Sequence, residues 1–133
     1  MLLKKEELPQ VAHPMMNILH EEEVDIVNQL YDALKKGDIE KADEMFKVFL
    51  ADIEDHFSTE EDMMRESRFF AYQMHKGEHD TMKQKIYQLY EDWKKNKNPE
   101  EVIKFLEEDF KPWLILHISR WDAETAMHVG DTI

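Results

Sequence analysis

Cysteine is absent from this 133-residue chain. That one absence removes disulfides, thiolate metal sites and cysteine nucleophiles. Glycine and proline are scarce, at three and four residues, too few to supply the tight turns of an all-β fold. Positive charge is also short: 17 lysines and arginines face 30 aspartates and glutamates, a formal net charge of -13. Such a chain repels phosphate backbones, so nucleic acid is not an expected partner. No apolar run approaches the roughly 20 residues that span a bilayer. The start, MLLKKEELPQ, lacks an apolar stretch long enough for a signal peptide. The expectation is a soluble, cytoplasmic protein with no membrane partner.

What remains is an ordinary globular composition, 42% hydrophobic and 35% charged. The length suits one domain, residues 1–133, able to bury a core without covalent staples. Residues 1–13 read as an arm, since Pro9 and Pro14 interrupt any early helix. From Pro14 to Lys36 the apolar residues Met16, Leu19, Val24, Val27, Leu30, Tyr31 and Leu34 recur at helical spacing. Gly37 is placed to end that helix and Asp38 to cap the next. The second helix runs from about Ile39 to Glu66 and carries Ala42, Met45, Phe46, Phe49, Ile53, Phe57, Met63 and Met64. ESRFF marks a break, and a third helix covers about Phe70 to Lys94.

After the polar KKNKN, NPEE restarts helix, with Asn98 as cap, Pro99 in the first position and Glu101 closing a capping box. The fourth helix extends to about His128, kinked by Pro112, and HVGDTI follows as a tail. Four long helices with short connections predict an all-α, up-down-up-down four-helix bundle over about 14–128, preceded by the arm. The nine methionines and the aromatic residues are read first as core filler.

The histidines carry the chemistry. His56 precedes Glu60 by four, and His75 precedes His79 by four. Residues at that spacing share a helix face, one turn apart, and can reach one metal ion together. His117 and Asp122 are five apart. A regular helix would turn Asp122 about 140° away from His117, so Asp122 would approach only from the flank. His20 stands alone on the first helix. Its rival His13 lies ahead of Pro14. A lone buried histidine is usually structural; the joint pattern is not.

Five imidazoles and two carboxylates exceed the four ligands of a structural zinc. They suit two six-coordinate iron or manganese ions, and a thiolate-free set is compatible with iron. No histidine has a glutamate three residues before it, so the paired Glu-x-x-His pattern of ferritin-like bundles is missing. The set is imidazole-rich, which favours mild, reversible chemistry. Glu21, Glu22 and Glu23 read as an exposed charge run, Glu61 and Asp62 as solvated or supporting, and His128 as an end-of-helix residue.

HEEEVDIVN around His20, HFSTEEDMM around His56, HKGEH around His75 and WLILHISRWD around His117 together resemble the hemerythrin family over about residues 15–126. The resemblance implies two non-haem irons joined by an oxo or hydroxo bridge. It implies that His75, His79 and His117 bind one iron, that His20 and His56 bind the other, and that Glu60 and Asp122 bridge them. Phe57, Trp113, Leu114 and Ile118 match the apolar lining of the family's oxygen pocket. The implied function is reversible dioxygen binding for storage, delivery or sensing, not catalysis, with any protein partner unnamed. The alternatives are a di-iron enzyme acting on peroxide, nitric oxide or iron, and a metal bundle without redox chemistry. Gly77, inside HKGEH, has no reason in the sequence pattern itself; room for a neighbouring helix or loop is one reading of it.

Overall fold

The computed structural model describes residues 1–131, and among them every regular element is helical. Helix α1 spans Pro14–Lys36, α2 Ile39–Glu66 and α3 Tyr72–Asn96. The fourth rod is built in three α segments, α4 (Pro99–Phe105), α5 (Lys111–His117) and α6 (Ala123–Asp131). Two π turns, Leu106–Phe110 and Ile118–Asp122, join them without a break in right-handed backbone. The connections are short, so successive helices run antiparallel and close a four-helix bundle.

The punctuation explains the boundaries. Gly37 ends α1 in a left-handed conformation (φ 74°), which glycine adopts without a Cβ penalty. Asp38 caps α2, accepting from the Lys41 N–H. Asn98 caps α4 by accepting from the Glu100 N–H. The expected capping box does not form, because Asn96 Oδ1 takes the Asn98 N–H at 3.0 Å. The ESRFF break is a turn in which Arg68 adopts φ 56° and the Phe69 N–H returns to Met64 O. It delays α3 to Tyr72. The fourth rod runs on to Asp131, so the expected tail is helical from His128 to Asp131, and Thr132 and Ile133 lie outside the described residues.

The arm is part of the core. Leu2, Leu3 and Leu8 are buried with the bundle's apolar residues. The Asn28 side chain accepts from the Leu2 and Leu3 N–H groups and donates to Leu3 O. Phe46, Phe49, Ile53, Phe110 and Trp93 fill the middle of the bundle. His128 donates from Nε2 to Ser67 O at 2.8 Å and packs against Phe69, tying the fourth rod to the α2–α3 turn.

Pro112 does not simply kink the rod. The turn before it widens, with the Lys111 N–H bonded five residues back to Leu106 O. In a regular helix the proline ring would press on the carbonyl four residues earlier; the π turn relieves that contact.

The close-approach reading of Gly77 does not hold. A Cβ built there meets nothing within 4 Å, so no neighbour requires the small residue. Gly77→Ala is therefore expected to raise the denaturant midpoint, by up to about 1 kcal/mol in stability, with metal content unchanged. Loss of stability in chemical denaturation would contradict this.

Candidate metal centre

The site forms toward the end of the bundle that carries the α2–α3 turn, within the first third of α1 and of α3, where each rod contributes from its inner face. α1 supplies His20, α2 His56 and Glu60, α3 His75 and His79 on consecutive turns, and the fourth rod His117 and Asp122. All seven are at most 2% exposed. His13, the rival to His20, is only half-buried and outside the cluster.

The five-residue step from His117 to Asp122 is resolved by the second π turn. The Ala123 N–H bonds Ile118 O, five residues back. This turn takes up one residue more than an α turn, so Asp122 returns to the face of His117. Asp122 Oδ1 lies 3.1 Å from His117 Nε2. Asp122 is thus central to the site, not a flanking group.

The two carboxylates straddle two groups of imidazoles. Glu60 Oε2 lies 2.7 Å from His56 Nε2 and 3.4 Å from His20 Nε2. Its Oε1 lies 3.2 Å from His79 Nε2 and 3.7 Å from His75 Nε2. Asp122 Oδ2 lies 2.9 Å from His20 Nε2, and its Oδ1 lies 2.8 Å from His75 Nε2. Donor atoms of Glu60, His75, His79, His117 and Asp122 fall within 4.8 Å of one another, as do those of His20, His56 and Glu60.

These atoms converge without pairing properly. His79 Nε2, Glu60 Oε1 and Asp122 Oδ1 are buried without a hydrogen-bond partner. His75 Nε2 faces His117 Nε2 at 3.0 Å, where two neutral rings would have to share one proton. Buried polar groups left in this state are costly. A cation at the point of convergence removes the cost. The residues present therefore fit a metal, and the donor set is nitrogen and oxygen only.

The electrostatics agree. Burial alone would depress His20, but the carboxylates of Asp122 and Glu60 outweigh it and hold the imidazole up at about 9. Burial also opposes charge on His56 and His79, yet Glu60 and their other carboxylate neighbours raise both. Burial lowers His75. Glu60 is pushed up by burial, but the charge of His56 and hydrogen bonds from His20, His56 and His79 hold it well below the usual range. Without metal, protons on the imidazoles balance the carboxylates; metal binding displaces them.

Outer contacts orient the rings. His75 Nδ1 sits 2.7 Å from Thr125 Oγ1, and His79 Nδ1 2.9 Å from Glu61 Oε2. His56 Nδ1 lies 2.9 Å from Glu23 Oε2. The Thr125 and Glu61 hydrogen bonds fix their rings and raise their basicity, whereas Glu23 faces His56 as a buried charge. Glu23 corrects the charge-run expectation: Glu22 is exposed, but Glu23 is fully buried. Its place three residues after His20, on the same helix face, was the available signal. Thr125 left no such signal, because its register depends on the π turn.

Phe57 stacks on His79, with ring centroids 4.0 Å apart, and Trp113 on His117 at 4.4 Å. Leu114 and Ile118 are buried in the adjoining core. Of the expected apolar lining, Trp113 alone is half-buried; the other three are at most 1% exposed.

Comparison with known proteins gives the same picture. The family model described as hemerythrin HHE cation binding domain matches residues 14–128. A bacteriohemerythrin of Aquifex aeolicus (strain VF5) is 53% identical over 131 residues, covering 98% of this chain and all of that protein. A match across the whole bundle, over a buried histidine–carboxylate cluster shared by all four rods, means that the chain belongs to the hemerythrin family.

Proposed function

We propose that the chain binds dioxygen reversibly at two non-haem irons. His75, His79 and His117 would hold one ion, His20 and His56 the other, with Glu60 and Asp122 shared. The observation carrying this reading is the pair of buried carboxylates, each within reach of imidazoles from both groups. When bound, a ferrous pair supplies two electrons to dioxygen and recovers them on release.

The chain's own residues set the conditions. Five neutral imidazoles against two carboxylates keep the donor charge low. Thr125 and Glu61 hold two of the rings, His75 and His79, in place through their Nδ1 atoms, and Glu23 sets a carboxylate beside the third, His56. Phe57 and Trp113 cover two rings with aromatic faces, and Leu114 and Ile118 extend the apolar wall. That wall keeps water from the centre and so slows irreversible oxidation. We read the arm and bundle as one domain, because Leu2, Leu3 and Leu8 share the bundle's core. Among the described residues, no helix is long and apolar enough to cross a membrane.

The test is elemental analysis joined to the visible spectrum. Chain loaded with ferrous iron under anaerobic conditions should hold about two irons. A new visible band should appear with oxygen and vanish under vacuum, over repeated cycles. A single irreversible change would overturn reversible binding. Sustained consumption of peroxide or nitric oxide beyond one equivalent per site would favour the enzymatic alternative.

A further inference from the structure

A second cluster of cation-binding groups borders the centre just described and shares His56 with it. Glu23 on α1 and Asp52 and His56 on α2 bring one donor atom each to within 4.8 Å of one another. Glu23 is fully buried, and both its carboxylate oxygens lack a hydrogen-bond partner. So do the buried Oδ2 of Asp52 and Nδ1 of His56. Glu23 Oε2 and His56 Nδ1 are only 2.9 Å apart, yet they are not aligned for a hydrogen bond. Among the described residues, no lysine or arginine forms an ion pair with Glu23 or Asp52.

An orienting role for Glu23 would account for one carboxylate beside His56. It would not account for Asp52. A second carboxylate beside a buried first one is repelled by it and gains nothing from orienting the ring. Burial and the charge of Glu23 push Asp52 up to about 7. The cost of that arrangement disappears when a cation sits between the groups.

The cluster also has a direction. Glu22 and Asp55 are exposed and act electrostatically on Asp52. Asp52 is half-buried, and Glu23 and His56 are buried. The opposite nitrogen of His56, Nε2, lies 2.7 Å from Glu60 Oε2. Carboxylates therefore lead from solvent at the α1–α2 face, past one edge of the His56 ring, to the centre at its other edge.

Building on the di-metal reading above, we propose that Glu23, Asp52 and His56 Nδ1 form an entry site that captures a divalent cation and passes it to the inner centre. Two carboxylates and one imidazole suit a ferrous or manganous ion. Three protein donors leave further positions to water, so the ion is held weakly enough to move on. His56 serves the outer site through Nδ1 and the inner one through Nε2, so transfer needs no new ligand from elsewhere in the fold.

The experiment follows loading of the metal-free full-length chain with Fe2+ under anaerobic conditions, quenched with a chelator at intervals. Asp52→Asn should slow uptake by about tenfold, the factor that corresponds to 1.4 kcal/mol, and still reach the wild-type iron content. Glu23→Gln should slow it at least as much. Asp92→Asn is the charge control: Asp92 lies 13 residues beyond His79 on α3, about 20 Å along the axis. It should load at the wild-type rate. Uptake by Asp52→Asn at the wild-type rate overturns the entry site, as does equal slowing by Asp92→Asn. Asp52 is half-buried, so its variant keeps the proposal falsifiable should Glu23→Gln fail to fold. The endpoint reports separately on the inner centre: wild-type chain that stops short of about two ions removes the di-metal reading itself.

Discussion

Glu60→Gln is expected to cost the centre at least one of its metal ions and to destabilise the metal-free protein as well. Among the described residues, Glu60 is the one carboxylate within 3.7 Å of four ring nitrogens, those of His20, His56, His75 and His79. An amide cannot bridge two cations as a carboxylate does, and its NH2 would face rings that need an acceptor. Iron content after loading should fall from about two per chain to one or none. In the metal-free chain the variant leaves buried imidazolium without its counter-charge, a loss of about 3–5 kcal/mol when one partner of a buried pair is removed.

The sign of the pH dependence follows from the shifts. Glu60 is held below its ordinary range, so its contribution is present above about pH 4.3 and fades as pH falls. His20 is raised to about 9, so its contribution is full below about pH 6.5 and fades as pH rises toward 9. The gap in stability between wild type and Glu60→Gln should therefore be widest between about pH 4.5 and 6.5. Denaturant midpoints of both metal-free proteins across pH 4–9 would check this; a gap that widens toward pH 9 would contradict it.

The fold was legible because its signals are local. Pro14 and Gly37 bracket α1 at the residues where the structure begins and ends it, and Asp38 supplies the expected cap for α2. The i,i+4 clips at His56–Glu60 and His75–His79 needed only regular helix geometry. The misses share another cause. Glu23 sits in a run of three glutamates, and composition gave no sign that this one turns inward beside His56. Thr125 and Asp122 depend on a π turn that no local propensity announces. The arm looked like loose chain, yet Asn28 pins its backbone from 25 residues away. Contacts of that kind are set by how helices meet, not by any one segment.

The π turn offers the sharper test of how the site is built. If its role is to absorb one residue so that Asp122 faces His117's partners, deleting that residue should be tolerated. Ser119 is exposed, and among the described residues its hydroxyl bonds only to Leu116 O. Without it, Asp122 follows His117 by four positions, a rotation of about 400° in a regular helix, close to one full turn. Thr125 keeps its place beside His75, and Ala126 stays in the core. The deletion should retain the wild-type iron content and a melting temperature no lower than wild type. Inserting one alanine after Arg120 does the reverse. It rotates Asp122 and everything after it by about 100° and shifts them about 1.5 Å, parting Asp122 from His20 and His75 and Thr125 from His75. That variant should bind at most about one iron and unfold at lower temperature. Equal loss of iron in the two variants would mean that the extra residue does more than restore the face, and the π turn itself would then have to be shaping the centre.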